Sequence, residues 1–551
     1  MGFERRVITS ALDLANLAKH NANFADIETD LNAHDERISE VETEQAAQSE
    51  RIDNIVASGG ESNIEIVDAR QDYDTLRDRL DTEHSAVTAQ LADIDQESTA
   101  IKTGVSKISI LVDDFGAVGN GEHDDTLAIQ AAINNAGGQP VLFTSGKTYF
   151  VSSIYYLTGT YLLGYGATLV ADNPTIPAPM VGSDTYDNVT SFISGVTIEG
   201  LTFETRNLSF TQDGRVIKLR ACKNVIIKNC YFKGFNGDGV DVDVLYNGSG
   251  QFRNFVPENI IIENCTFDGL GHDTRNSIAL FQVDGISIRG CKFVNSGKSD
   301  MPGAVDIEPH LYHDDVIMVQ NVSVTNCKFD GIKGAAGINA YFDYGNMVLN
   351  YPIQNFTFSG NTFKNMDKNF IYFEDRLSAT NEPVYRFSHN LNVSNNTCEG
   401  SGNTYFQNMV FSGVRGLSFY ENTIENAAGS IYIGKTYDSY AYKKCTDVKV
   451  YNNRIFKPFP VSEQVLFRIG NIETFKFYDN TVISKNEDSS KSGLFILAYV
   501  ATNTYLLNNI IYNNVVYEIG SHQLFGYFSY TPTGLVTLRD NVHANMTDLN
   551  F

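Results

Sequence analysis

From Phe24 onward, apolar and small polar residues return at alternating steps of three and four: Phe24, Ile27, Leu31, His34, Ile38, Val41, Gln45, Gln48, Ile52 and Ile55. Charged residues fill the positions between, which is the pattern of a coiled-coil seam. Ser58-Gly59-Gly60 interrupts it, because glycine gives up the most backbone freedom on entering a helix. A second seam runs through Leu80, His84, Val87, Leu91, Ile94, Ser98, Ile101, Val105 and Ile108, preceded by Tyr73 and Leu76. Its two consecutive four-residue steps from Leu76 to His84 read as a stutter. The spacing predicts a helical stalk over residues 24–110 with a break near 58–72. A single amphipathic helix packed on a domain is the simpler reading, but ten first-seam positions without a phase slip favour the stalk. A lone chain cannot bury such a seam, so an oligomer is expected, and a parallel homotrimer is the state assigned.

Beyond residue 110 the helical period disappears and a short phrase repeats. An apolar alternation is followed by Asn or Gly, then Cys or Asn, one variable residue and usually an apolar one. Instances are Asn229-Cys230-Tyr231-Phe232, Asn264-Cys265-Thr266-Phe267, Gly290-Cys291-Lys292-Phe293, Asn326-Cys327-Lys328-Phe329, Gly360-Asn361-Thr362-Phe363 and Asn395-Asn396-Thr397-Cys398, and the phrase runs on to Asp540-Asn541. Steps between its second residues range from 26 to 36. Fixed-period similarity means a stacked architecture. The units hold short period-2 strands and no helical stripe, which excludes helical solenoids and leucine-rich repeats. Most are shorter than the ~40–45 residues of a propeller blade. A parallel β-helix with one coil per unit remains, in which Cys230, Cys265, Cys291, Cys327, Asn361, Asn396 and Asn422 should stack in line, the asparagines hydrogen-bonding from coil to coil.

Composition sharpens the boundary. Of the 66 acids and 41 bases, 23 and 10 lie before residue 108, and the first proline is Pro140. The net charge of −25 makes nucleic acid an unsuitable partner. No apolar run reaches the ~18 residues of a membrane span, and the N-terminus lacks the apolar region of a secretory signal. The seven cysteines form no CxxC pair, and those in the repeat phrase read as small buried hydrophobes.

Asp113-Asp114-Phe115-Gly116-Ala117-Val118-Gly119-Asn120-Gly121, followed by Asp124-Asp125-Thr126-Leu127-Ala128-Ile129-Gln130-Ala131-Ala132-Ile133, closely resembles the opening segment of pectate-lyase-superfamily β-helices. There a strand and turn lead into a helix that caps the solenoid. Asp124 or Asp125 suits an N-cap, and Leu127, Ile129, Ala132 and Ile133 should supply the packing. The resemblance implies an all-β right-handed parallel β-helix over 111–551, opened by a strand and capping helix at 111–136. With the stalk, the chain resembles a phage tailspike or appendage protein with a pectin-lyase-like domain. Glu65-Ile66-Val67-Asp68-Ala69-Arg70 and the segment to Asp81 are similar to phrases in tail proteins of phages of Gram-positive bacteria. By that resemblance, residues 1–23 attach the protein to a tail or baseplate, the protein resides on the virion, and its target is a host cell-wall glycopolymer such as a teichoic acid. Membrane insertion is not expected.

One strand per coil carries the candidate chemistry. In Gly239-Val240-Asp241-Val242-Asp243-Val244 the valines share one face and the aspartates the other. On successive coils the outward residues are Ser277 and Ala279, then Asp306 and Glu308, then Asn339, Tyr341 and Asp343, then Tyr372 and Glu374, with Arg376 next. The column therefore gathers Asp241, Asp243, Asp306, Glu308 and Glu374 as candidate catalytic acids. Arg275, Asn276, Asp343, Tyr341, Tyr372, Arg376 and His310 are candidate substrate contacts. Ser277 and Ala279 should leave room for a ligand, and tyrosine rings offer sugars an apolar face. Paired carboxylates suit glycosidic hydrolysis, one donating a proton and the other activating water, and like-charge crowding raises a donor's pKa. Asp306 and Glu308 are the expected central pair, both facing solvent. Their i, i+2 spacing of ~6.5–7 Å favours inversion, and Asp243 offers a longer alternative pairing with Asp306. No cofactor is required by this reading. A divalent cation enters only in the alternative of a metal-assisted lyase, with Asp241, Asp243 and Asp306 as oxygen ligands and Arg275 as base. Asn236-Gly237-Asp238-Gly239-Val240-Asp241 partly resembles the first motif of polygalacturonase-like hydrolases, whose Gly-His-Gly signature is absent here. A non-catalytic receptor-binding adhesin is the remaining alternative.

Overall fold

The structure is a computed structural model. It describes residues 39–52, 75–106 and 109–545, apart from segments 175–178, 184–190, 245–254, 310–317, 343–352, 376–388, 401–406, 426–428, 435–444, 459–466, 486–494, 498–508, 520–535 and 540–541 and positions 471, 473 and 513. The chain divides into two compact units, Met1–Ile110 and Leu111–Phe551.

In the first unit, residues 39–52 and Leu76–Ser106 are helical. Among the described residues these are the two helices of the unit. His84 Nδ1 and Gln45 Oε1, one seam position from each helix, lie 3.2 Å apart. The apolar seam residues Val41, Val87 and Ile94 are 53%, 44% and 43% exposed. Among the described residues no helix is long and apolar enough to cross a membrane.

The second unit follows the repeat. Each coil sends one strand to each of three parallel sheets, as in Cys222–Lys228, Tyr231–Lys233 and Asp238–Val242, then Glu258–Glu263, Thr266–Asp268 and Asn276–Leu280. The turn between first and second sheets explains the phrase. Its leading residue is left-handed, with φ of 54–56° at Asn229, Asn264, Asn326, Asn395 and Asn452. Only Gly and Asn, with Asp close behind, adopt that region readily. The next residue turns inward. Cys230, Cys265, Cys291 and Cys327 form the first part of that column, each thiol near a carbonyl of the preceding coil. Asparagines then take over: Cys327 N–H donates to Asn361 Oδ1 at 2.9 Å, and Asn361 Nδ2 donates to Asn396 Oδ1 at 3.0 Å. The pattern continues through Asn422, Asn453, Asn480 and Asn514. Two residues further, Phe203, Phe232, Phe267, Phe293, Phe329 and Phe363 stack at 4.3–5.2 Å. Buried rings in register pin the coils against slippage.

The capping helix is Thr126–Asn135, with Ile129, Ala132 and Ile133 buried. Leu127 departs from expectation and is 85% exposed, because it lies on the opposite side of the helix from those three. Asp124 Oδ1 accepts the Thr126 N–H at 3.0 Å, as a capping carboxylate does. Buried Asp125 instead accepts the Val118 and Gly119 amides at 2.7 and 3.0 Å, pinning the opening turn to the helix.

Candidate functional site

The third sheet aligns the strands Arg215–Leu219, Asp238–Val242, Asn276–Leu280, Gly303–Ile307, Ala336–Phe342 and Asn369–Asp375. Register places Lys218, Asp241, Ala279, Asp306, Asn339 and Tyr372 in one outward column. Two residues on, Asp243, Phe281, Glu308, Tyr341 and Glu374 form a parallel row. Phe281 N–H donates to Val242 O, Glu308 N–H to Leu280 O, and Tyr341 pairs with Glu374. The sequence thus brings Asp241, Asp243, Asp306, Glu308, Tyr341, Tyr372 and Glu374 onto one face. Asp343, Arg376 and His310 lie outside the described residues.

Burial corrects the expected picture. Asp306 is fully buried rather than solvent-facing, while Glu308 is half-buried. The amides of Asn339 and Asn276 donate to the two Asp306 oxygens at 2.9 and 3.3 Å. Burial, and then the charge on Glu308, push the Asp306 carboxyl well above the usual carboxylate range. Ser277 does not line a groove. It is fully buried, and its hydroxyl lies 3.3 Å from the buried Ser296 hydroxyl.

Asp241 is not free to meet a ligand. Arg215 Nε donates to one of its oxygens and Arg220 Nη1 to the other at 2.6 Å. Burial opposes ionisation there, but Arg220 and Arg215 outweigh it and hold the carboxyl far below its ordinary value. Asp238, also fully buried, is 3.2 Å from Arg215 and 2.8 Å from Arg275, and accepts the Asn276 N–H at 3.1 Å. Arg275 in turn lies 5.5 Å from the Phe281 ring. Burial penalises this guanidinium, but Asp238 and then Asp306 hold its proton more tightly than usual.

Asp243 differs from Asp241. Its side chain is 10% exposed, and Arg220 Nη2 reaches it only at 3.4 Å. Burial wins over Arg220, helped by the Asp241 charge, and pushes its pKa up to about 6. Lys218, in register with Asp241, is lowered to about 8 by burial and by Arg220. Farther along, the Tyr372 hydroxyl donates to the buried Glu374 carboxylate.

Sequence reasoning missed Arg215, Lys218 and Arg220, and it gave Asp238 and Asn339 no role of their own. The alternation Lys218-Leu219-Arg220, one coil before Asp241-Val242-Asp243, carried the signal: the two pairs are in register with opposite charge. The donor set of the calcium alternative does not fit, because both Asp241 oxygens are held by guanidinium groups. Among the described residues no group of three or more His, Cys, Asp or Glu is arranged to hold a metal ion.

Residues 109–333 match the model of the rhamnogalacturonase A/epimerase, pectate lyase-like family. A capsule K30/K69-specific depolymerase of Klebsiella phage K64-1 is 30% identical over 141 residues, which are 23% of this chain and 18% of that protein. The pre-mature gene product 12 of bacteriophage phi29 superposes with a TM-score of 0.47 at 15% identity, over 81% of this chain and 68% of its own. PfbA, a surface adhesin of Streptococcus pneumoniae, gives a TM-score of 0.40 at 17% identity over 79% and 90%. The body is a pectate-lyase-like right-handed β-helix. Over a limited segment, this chain is distantly homologous to a phage capsule depolymerase.

Proposed function

We propose that this protein is a phage tail appendage that binds a host cell-surface glycopolymer and cleaves it by carboxylate-assisted hydrolysis. The observation that carries the reading is the pair Asp243 and Glu308. These two carboxyls share one row of the third sheet and reach its surface, with Phe281 between them. Two coils at ~4.8 Å put them ~10 Å apart, close to the ~6.5–9.5 Å of an inverting pair.

Asp243, protonated below pH about 6, gives its proton to the leaving oxygen as the glycosidic bond breaks. Glu308 takes a proton from the attacking water, whose oxygen bonds to the sugar carbon from the opposite face. Exchange with solvent returns both groups to their starting forms. Arg275, Tyr341 and Tyr372 supply the edge against which a sugar is oriented. Residues 1–23 serve as the virion attachment segment, and the seam over 24–110 ties a homotrimer.

Purified wall polymer or capsule, incubated with the intact chain, tests the reading by the appearance of shorter fragments. Asp243→Asn and Glu308→Gln are each expected to slow cleavage at least ~100-fold. Tight binding without fragments from any envelope polymer of the host identifies a receptor-binding adhesin instead.

A further inference from the structure

We infer that the outer face of the first sheet carries a second binding strip, for an acidic glycan, whether or not the third-sheet row cleaves anything. Tyr420, Tyr451 and Tyr478 occupy one outward column there, stacked at 4.8 and 5.0 Å with interplanar angles of 6° and 2°. They are half-buried and belong to no core. Burial, then Tyr420 and Glu421, raise the Tyr451 pKa, so its phenol remains a hydrogen-bond donor.

The ladder begins abruptly. On the preceding coil the position in register with Tyr420 is Ser394, and before that Ser359, the two hydroxyls 2.9 Å apart. Ser394 is buried, so the ladder shows a ligand its half-buried ring edges. Beside it, Asn392 Nδ2 donates to the Tyr420 hydroxyl at 3.3 Å, while Asn392 Oδ1 is buried without a partner. The row of aromatic ring edges offers the apolar side of a sugar a contact repeated from coil to coil.

Charge fixes the class of sugar. In the neighbouring outward column Lys449 and Lys476 follow each other on adjacent coils, Lys449 exposed to solvent. Glu421 and Asp479 lie in the turn beyond the tyrosines, so the strip has a basic and an acidic edge. In a chain of net charge −25, consecutive lysines along an aromatic ladder suit a polymer carrying phosphate or carboxylate on one side. A second copy of this chain is the poorer occupant, because symmetric contact here would set Lys449 and Lys476 against their own copies.

The test uses the intact chain carrying Asp243→Asn and Glu308→Gln, so that cleavage does not consume the probe. Binding is measured to immobilised glucosylated poly(glycerol phosphate), to oligogalacturonate and to neutral dextran. Adding Tyr420→Ala, or Lys449→Gln with Lys476→Gln, is expected to weaken binding to an acidic probe roughly tenfold. Tyr420→Phe should bind as its parent, and the preferred probe tells phosphate from carboxylate. Equal binding by parent and both variants, or no binding to either acidic glycan, overturns the inference. A fall in assembled mass on light scattering also overturns it, because the strip is then a contact between copies. The lysine pair is exposed, so it decides the matter even if Tyr420→Ala fails to fold.

Discussion

Two aspartates two residues apart on one strand behave oppositely, because one is gripped by guanidinium groups and the other barely is. Asp241, held by Arg215 and Arg220, binds its proton less tightly when folded than when unfolded. Its contribution to stability is therefore present above the unfolded value of ~3.9 and is lost as pH falls further. Asp241→Asn leaves two buried cations with a neutral partner, and a loss of about 3–5 kcal/mol is expected in denaturant unfolding at pH 7. Asp306 has the reverse sign, since its folded pKa is raised. Its favourable contribution is present below ~3.9 and is lost as pH rises through the folded value. Wild type should therefore lose stability relative to Asp306→Asn as pH rises from 4 to 8 in denaturant unfolding. An unchanged difference between the two over that range would sink the raised assignment. In the proposed reaction Asp243 must be protonated, so kcat should decline as pH rises through about 6. A rate that is flat from pH 5 to 8 would exclude Asp243 as the donor. Which side chains faced outward was legible for most of these residues from the period of two. How deeply they were covered was not, because the cover is the long side chains of other coils. Asp241 is the plainest case: Arg215 and Arg220 of the preceding coil close over it.

At the scale of elements, the asparagine column shows why a repeat phrase could be read without an alignment. Asn396 accepts from the Asn361 N–H and Nδ2, and donates to Phe358 O and Asn422 Oδ1, all at 2.9–3.0 Å. Each coil completes the hydrogen bonds of the one before it, so the same residue type must return. Asn396→Leu removes four such bonds at once and leaves the Asn361 amide unsatisfied. Buried unpaired groups cost ~1–3 kcal/mol each, and hydrogen exchange at the Asn361 and Asn396 coils should speed up well before that at the cap. Unchanged protection there would deny the column its structural part. The burial of Ser277 against Ser296 was not legible, since it depends on a turn of the next coil rather than on the strand's own period. The stalk stands differently. Its seam was read from spacing, but Val87 and Ile94 are exposed within the single chain, and what covers them is settled by mass. Light scattering of the full chain is expected to give a trimer, and removal of residues 1–110 a smaller species with an intact β-helix melt. A monomeric full chain would dispose of the proposed assembly.

For the β-helix as a whole, three sheets share one feature: all their described pairings are parallel and run from coil to coil. Coils contact mainly their immediate neighbours, so stability is a sum of local terms along the stack. The fold class followed from that locality, because every coil had to repeat the same solution, whereas the acids and bases of the third sheet were free to vary coil by coil. There is also a mechanical consequence. The hydrogen bonds lie along the stacking direction, so a push along it closes them, while a pull at the chain end opens only the last coil. Drawn from its C-terminus, the body should come apart as a sawtooth, one coil per event. With repeat steps of 26 to 36 residues and ~3.3–3.6 Å per extended residue, each event should release about 90–130 Å. Such a body resists being driven against a surface far better than being peeled from its end.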